Sequence, residues 1–186
     1  MKDQLKENIQ NLSSLLSDTS FHSRVDETIS IVSESLKAGL PLLVFGNGGS
    51  ASDALHISGE LVGKFFIDRK SLNVICLNGN VTVLTAWTND VDYETVFSRQ
   101  IEAHGTLGGV AWGLSTSGNS PSVVTGLSVA KSLGLATIAM TGLNGGKAAK
   151  FADVLLNVPA ELTPRIQELH LPVYHYICQE IEKNCK

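Results

Sequence analysis

Apolar residues recur at two different spacings along the chain, and the change falls near residue 40. Before that point they return every three or four residues, which predicts two amphipathic helices. The residues that carry this spacing are Leu5, Ile9, Leu12, Leu16, Val25, Ile29, Val32 and Leu36. Asp18, Thr19 and Ser20, followed by Phe21, predict the break and the cap between the helices.

From residue 41 onwards, short apolar runs rich in Val, Ile and Leu alternate with helix-like stretches. Continuous apolar runs of this length are typical of parallel strands buried on both faces. The predicted strands are Leu42–Phe45, Asn73–Leu77, Val110–Ser115, Ala136–Met140 and Val154–Val158. The pattern therefore predicts an α/β fold, a doubly wound and flavodoxin-like sheet of five parallel strands. A long helix from about Pro164 to Lys183 closes a single domain of residues 1–186, with a helical arm (1–40) and an α/β core (41–186).

Composition narrows the classes of protein to consider. Of the 186 residues, 43% are hydrophobic and 17% charged, and the formal net charge is −4. No basic run is present, so we expect no nucleic-acid partner. Three cysteines without a C-x-x-C pair, no apolar signal region and no bilayer-length apolar run predict a cytoplasmic protein without a membrane partner.

The loop after the first predicted strand reads Gly46-Asn47-Gly48-Gly49-Ser50-Ala51-Ser52-Asp53 and opens a helix. Glycines allow the backbone to approach an anion, and a helix N-terminus favours negative charge. Gly46, Gly48 and Ala51 also satisfy a loose dinucleotide fingerprint. The second strand ends in Leu77-Asn78-Gly79, without the acidic residue that would hold a ribose, which weighs against a dinucleotide. A plain strand-to-helix turn is the alternative.

The third predicted strand ends in Ser115-Thr116-Ser117-Gly118-Asn119-Ser120. Four hydroxyls and a glycine before a helix suit a single phosphate ester, held by hydroxyl and backbone N–H groups. A serine-rich helix cap is the alternative. Because both loops follow neighbouring strands of one sheet, we expect them to share the ligand-binding edge.

Two helices carry candidate metal and acid–base residues. His56 and Glu60 stand four positions apart and share one helical face. The last helix carries Gln167 and His175, which are roughly 80° out of register on an ideal helix. A surface pair and a structural histidine are the alternatives for these residues, and His170 has no evident partner.

Taken together, these residues resemble the phosphoheptose isomerase family of the sugar isomerase (SIS) superfamily. The pieces that carry the resemblance are Gly46 through Glu60, Asn89-Asp90, Phe97-Ser-Arg-Gln, Ser115 through Ser120, Arg165 through His170, and His175. The resemblance runs from about residue 35 to the C-terminus. It implies an SIS fold and the isomerisation of sedoheptulose 7-phosphate to an aldoheptose 7-phosphate, for lipopolysaccharide or capsule precursors.

The resemblance also implies a site, position by position. His56, Glu60, Gln167 and His175 look like a zinc site, in which Glu60 and His175 are similar to the family's acid–base pair. The residues that look like substrate contacts are Asn47, Gly48, Gly49, Ser50, Glu60, Asn89, Asp90, Ser115, Thr116, Ser117, Ser120 and Gln167. Family members are homotetramers with sites near subunit interfaces, which gives the helical arm an expected use.

Three places depart from the usual family pattern: Thr88, Val91-Asp92 and Asn78-Gly79-Asn80. All are expected near the edge of the second strand, beside the hydroxyl groups of the sugar. Two other functions are considered beside the enzyme. Some relatives are non-catalytic interaction proteins, such as the factor that binds the bacterial replication initiator, and others are sugar-phosphate sensors. The four retained zinc-site residues favour the enzyme.

Overall fold

A computed structural model describes all 186 residues and contains one sheet of five parallel strands. The strands are β1 (Leu42–Gly46), β2 (Val74–Cys76), β3 (Val110–Ser115), β4 (Ala136–Thr141) and β5 (Val154–Asn157). Their order across the sheet is β2-β1-β3-β4-β5, the flavodoxin-like arrangement that the sequence predicts. Each predicted strand lies within one residue of its observed bounds.

Seven α-helices surround the sheet. They are α1 (Lys2–Ser17), α2 (Thr19–Lys37), α3 (Gly49–Val62), α4 (Val81–Asp90), α5 (Val96–His104), α6 (Pro121–Ser132) and α7 (Thr163–Asn184). A short 3-10 helix, Gly146–Lys150, precedes β5. None of the helices is long and apolar enough to cross a membrane.

Alternate residues of the strands face the two sides of the sheet, and both sides are buried. Leu42 and Val44 of β1 belong to the larger core, which also includes residues of α2, α3 and α7. Leu43 and Phe45 belong to the second core, beneath α5 and α6. Burial on both faces explains why the strands read as continuous apolar runs instead of an alternating pattern.

The two N-terminal helices have different surroundings. Asp18 ends α1 and caps α2, where its carboxylate accepts a hydrogen bond from the backbone N–H of Phe21 at 2.9 Å. Helix α2 packs on α7 and β5 and contributes Val25 and Val32 to the larger core. Helix α1 packs on α7 and α2, and most of its apolar side chains remain exposed. The segment predicted as one arm therefore contains one core helix and one peripheral helix.

Helix α7 is tied to the segment that follows α3 by a buried carboxylate. Glu182 is 1% exposed and accepts backbone hydrogen bonds from Phe65, Phe66 and Ile67 at 2.7–3.0 Å. Arg69 lies 3.4 Å from the same carboxylate. Burial opposes the charge of Glu182, but these donors outweigh it and hold its pKa below the ordinary value. Both helices that carry the candidate metal ligands are thereby fixed to each other.

Candidate active site and metal centre

The first predicted anion loop joins β1 to α3 at the point where the strand order reverses. Gly48 is the N-cap of α3 and adopts φ +57°, a conformation that residues with a side chain rarely adopt. No side chain caps the helix, and the N–H groups of Ser50 and Ala51 donate to the carbonyls of Asn47 and Gly48 within the loop. A Cβ atom at Gly49 would overlap the amide of Gln167, which places Gln167 of α7 directly against this loop.

Side chains from three other segments fix the loop. Asn47 donates to the Ser122 hydroxyl of α6 at 3.0 Å and accepts from the Tyr93 hydroxyl at 2.6 Å. Asn78 pairs with the backbone of Gly46 in both directions, at 2.8 and 3.2 Å. These contacts join the loops after β1, β2 and β3 at one edge of the sheet, as the topology requires.

The asparagines after β2 have backbone roles that the sequence did not indicate. The side-chain amide of Asn78 donates a hydrogen bond to the backbone carbonyl of Gly46. The side chain of Asn80 caps α4 by accepting a hydrogen bond from the N–H of Val83 at 3.1 Å. We expected this departure from the family pattern to lie beside the sugar hydroxyls. Its polar side chains instead shape the backbone of the site.

The second predicted anion loop, after β3, is compact and internally hydrogen-bonded. The Ser115 hydroxyl donates to that of Ser120 at 3.1 Å, and the Ser117 hydroxyl accepts from the N–H of Asn119 at 3.1 Å. Gly118 has φ +63°, and a Cβ atom there would collide with the carbonyl of Gly145, so only glycine fits. Ser120 is the N-cap of α6, with Pro121 in the first turn and no side-chain cap. The loop therefore presents hydroxyls at a helix N-terminus, where the N–H groups of Val123 and Val124 already donate to the carbonyl of Ser120.

The start of α7 lies beside this second loop. The hydroxyls of Thr116 and Thr163 are 3.4 Å apart, which brings the N-terminus of α7 to the site. Thr163 was not among the residues predicted from the sequence, because a threonine at a helix start is ordinarily read as a cap.

His56, Glu60 and His175 converge between α3 and α7, with candidate ligand atoms within 4.8 Å of one another. His56 Nε2 lies 3.0 Å from Glu60 Oε1 and 3.4 Å from His175 Nε2. A tetrahedral zinc ion with Zn–N bonds of about 2.05 Å requires ligand atoms roughly 3.3 Å apart. Two imidazoles and a carboxylate at this spacing fit Zn²⁺.

The electrostatics of the cluster favour a neutral ring at His175. Burial and the neighbouring His56 lower the pKa of His175, and Glu60 partly opposes the shift. A neutral imidazole is the form that binds a metal. The Nε2 atoms of His56 and His175, 3.4 Å apart, have the spacing of two ligands of one tetrahedral cation.

The remaining predicted contacts differ in accessibility. Asn89 and Asp90 are exposed and hydrogen-bonded to each other at 2.8 Å, and they form the last residues of α4. Ser117 is exposed, whereas the side chains of Ser50 and Ser115 are almost fully buried. Asn89, Asp90 and Ser117 are therefore the more accessible members of this set.

His170 is part of the core. It is fully buried, and its Nε2 lies 3.1 Å from the carbonyl of Thr141 at the end of β4. Burial lowers its pKa to about 4, and the hydrogen bond to Thr141 only partly opposes this. The ring is thus a neutral structural group, which agrees with its lack of any evident functional partner in the sequence.

These features define a class: a doubly wound α/β protein with two anion-type loops at the switch point of the sheet and a His–Glu–His cluster between α3 and α7. The chain matches the SIS domain family over residues 4–142. It is 50% identical to a phosphoheptose isomerase of Crocosphaera subtropica over 85% of this chain and 81% of that protein. It is 43% identical to that of a Synechocystis species, over 98% and 93% of the two chains.

A solved structure of phosphoheptose isomerase from Neisseria gonorrhoeae superposes with a TM-score of 0.91. It is 34% identical and covers 98% of this chain and 96% of its own. The chain belongs to the phosphoheptose isomerase family of SIS-domain proteins.

Proposed function

We propose that this chain isomerises sedoheptulose 7-phosphate to D-glycero-D-manno-heptose 7-phosphate. The observation that carries the proposal is the His56–Glu60–His175 cluster at the edge of the sheet that also carries both anion-type loops. Family membership supports the same activity. The cluster also favours an enzyme over a non-catalytic interaction protein or a sensor, because neither of these needs acid–base groups beside a metal-type site.

Glu60 is the proposed base. Isomerisation of a ketose to an aldose moves a proton from C1 to C2, and a carboxylate can take it from one carbon and return it to the other. The Oε1 atom of Glu60 faces His56, and Oε2 makes no hydrogen bond within the chain. One oxygen is thus available for proton transfer while the other faces the metal-type cluster.

His175 is the proposed acid. It would transfer the proton that moves between the oxygens on C1 and C2 of the sugar. Its ring stacks edge-on against His56 and Phe65, which restricts its orientation. His56, Glu60 and His175 are brought together as the residues that would hold Zn²⁺. Gln167 is the proposed fourth ligand, and in this structure its amide lies against Gly49, two turns of α3 before His56. When bound, Zn²⁺ polarises a carbonyl and offsets negative charge on substrate oxygens.

We propose that the two anion-type loops bind and orient the sugar phosphate. Ser115, Thr116, Ser117 and Ser120 are proposed to hold the phosphate at the N-terminus of α6. Asn47, Gly48, Gly49, Ser50 and Gln167 then line the carbonyl end, and Asn89 and Asp90 the hydroxyl groups. Anchoring a distant phosphate fixes the register of the reacting carbons against Glu60.

Changing both Ser117 and Ser120 to Ala is expected to raise KM by about 10²-fold, because two hydrogen bonds to a charged group are lost. The kcat value should change little, since neither hydroxyl takes part in proton transfer. Steady-state kinetics on sedoheptulose 7-phosphate measures both constants. Ser132→Ala, at the exposed end of the same helix α6, is the matched control.

Free sedoheptulose should be a very poor substrate of the native protein. Equal kcat/KM values for the free and phosphorylated sugars would refute the phosphate role of the loop. Incubation with ketose phosphates of different chain length, followed by detection of aldose, tests the proposed activity itself. An absence of aldose from every ketose phosphate would favour a binding function.

We also propose that the chain assembles as a homotetramer. Helix α1 exposes the apolar side chains of Leu5, Ile9 and Leu16 in the isolated chain. It packs against α7, which carries two of the proposed zinc ligands, so an interface on α1 would lie close to the site.

Light scattering after size-exclusion chromatography should give four times the chain mass. The double change Leu5→Lys and Ile9→Lys should reduce this mass, because charge is placed on the proposed interface. Leu107→Lys, at an equally exposed leucine in the loop before β3, should not. A monomeric native protein at micromolar concentration would contradict the proposal.

A further inference from the structure

The ring of His56 has a second contact, on the side away from Glu60 and His175. Its Nδ1 atom lies 3.0 Å from the hydroxyl of Tyr174. Tyr174 is fully buried between α3 and α7, and its ring meets that of His56 edge-on. Nδ1 of His56 therefore faces a phenol hydroxyl, whereas Nε2 faces the carboxylate of Glu60 and the ring of His175.

Asp53 completes the group. One turn before His56 on α3, its Oδ1 atom lies 3.4 Å from the Tyr174 hydroxyl, and its Oδ2 atom is buried without a partner. Burial raises the pKa of the Asp53 carboxyl, while the hydrogen bond from Tyr174 and the nearby His56 oppose the rise. Tyr174 is thus the one side-chain donor that supports the charge of Asp53.

A phenol has one hydrogen to donate, so the direction of this hydroxyl decides the tautomer of His56. If Tyr174 donates to Asp53, its oxygen accepts a hydrogen bond from Nδ1–H of His56. The lone pair of His56 then lies on Nε2, which faces Glu60 and His175. This is the state in which an imidazole can bind a metal.

The opposite direction is unfavourable. If Tyr174 donated to Nδ1 of His56, both oxygens of Asp53 would lack a donor although one of them is buried. An unpaired buried acceptor costs about 1–3 kcal/mol, and more when it is charged. The burial of Asp53 therefore favours the first arrangement. It competes with the hydrogen bond that an Nε2–H group of His56 would donate to Glu60 at 3.0 Å, a contact that a cation replaces when it binds Nε2.

We propose that Asp53 and Tyr174 are positioning residues that hold His56 as its Nδ1–H tautomer and aim Nε2 at the metal position. The inference rests on the proposed metal centre, and it adds two residues to the site. Neither touches the substrate, and both act through His56. Burial of the Tyr174 ring and the position of Asp53 on the same face of α3 make the arrangement rigid.

Nitrogen-15 NMR of the metal-free Glu60→Ala protein at alkaline pH reads the tautomer without the carboxylate to which an Nε2–H group would donate. The expected result is a protonated Nδ1 and an unprotonated Nε2 at His56. Adding Tyr174→Phe should remove this preference, because the Nδ1–H group loses its acceptor. A His56 that carries its hydrogen on Nε2 in the Glu60→Ala protein would overturn the inference, whatever the protein catalyses.

Metal affinity gives a second readout. Tyr174→Phe keeps the buried ring and should weaken Zn²⁺ binding by about 10- to 100-fold in competition with a chromophoric chelator. Tyr176→Phe is the matched control, since Tyr176 is exposed on the same helix, and its affinity should equal that of the native protein. Asp53→Asn should also weaken binding, and the double variant should lose less than the sum of the two single losses.

The outcomes separate the two proposals. If native protein binds Zn²⁺ and Tyr174→Phe binds it equally well with an unchanged His56 tautomer, the positioning role is wrong and the metal centre stands. If native protein binds no Zn²⁺, the proposed metal centre is wrong, and the proposal that Tyr174 positions His56 for a metal is wrong with it.

Discussion

Glu60→Gln is expected to remove nearly all isomerisation while leaving the fold and phosphate binding intact. Loss of a general base costs about 10²–10⁴-fold in rate, and an amide cannot accept the carbon-bound proton. Glutamine has almost the same shape, and Glu60 is only partly buried, so the packing of α3 should not change. The measurement is kcat on sedoheptulose 7-phosphate, together with exchange of the C1 hydrogens into deuterated water.

Exchange of the C1 hydrogens reports removal of the carbon-bound proton separately from completed turnover. Glu60→Gln should abolish it along with turnover, because both require removal of the carbon-bound proton. Glu102→Gln is the control, since Glu102 is exposed on α5 in a surface pair with Arg99. Near-native turnover or exchange in the Glu60 variant would show that another group is the base.

The sheet could be predicted closely from the sequence because its strands are buried on both faces. Continuous apolar runs such as those of β1 and β3 have few alternatives in an α/β pattern, and their ends are marked by glycine or serine. The two anion-type loops follow from the same logic, since topology places both at one edge of the sheet.

The contacts between distant segments could not be predicted in this way. Asn78 looked like part of a sugar-facing loop, yet it pairs with the backbone of Gly46, 32 positions away. Tyr93 reaches Asn47 across the site, although nothing in its local pattern marks it as a site residue. Such roles depend on which loops meet, and that is settled by the packing of the whole chain.

The helical arm (residues 1–40) shows another limit of prediction from the apolar pattern. Both N-terminal helices have the same apolar spacing, but only α2 buries its stripe in the core. The amphipathic pattern predicts that a helix covers something, and it does not say whether the partner is the same chain or another one. The exposed leucines of α1 therefore led to a proposal about assembly and not to a core assignment.

The candidate cluster depends on two helices that are more than 100 residues apart in sequence. His56 and Glu60 are one turn apart on α3, while His175 comes from α7. The buried Glu182 ties α7 to the segment after α3, and Tyr174 contacts α3 directly. The site is therefore held by the packing of the two helices, and no ion is needed to bring the ligands together.

Because helix packing holds the ligands in place without an ion, removal of the metal is expected to lower activity and to leave the fold intact. This is the second large expected effect. Exhaustive chelation should lower kcat by about 10²-fold or more, because a bound ion contributes several kcal/mol of charge stabilisation in the transition state. The far-ultraviolet circular dichroism should not change, since both cores are built from apolar side chains and none of the residues in them is a proposed metal ligand. Added Zn²⁺ should restore activity, and His56→Ala should prevent the restoration. His104→Ala, at an exposed histidine on α5, should restore as the native protein does. Full activity in rigorously metal-free protein would mean that His56, Glu60 and His175 act on the sugar directly, and the metal would then have no place in the mechanism.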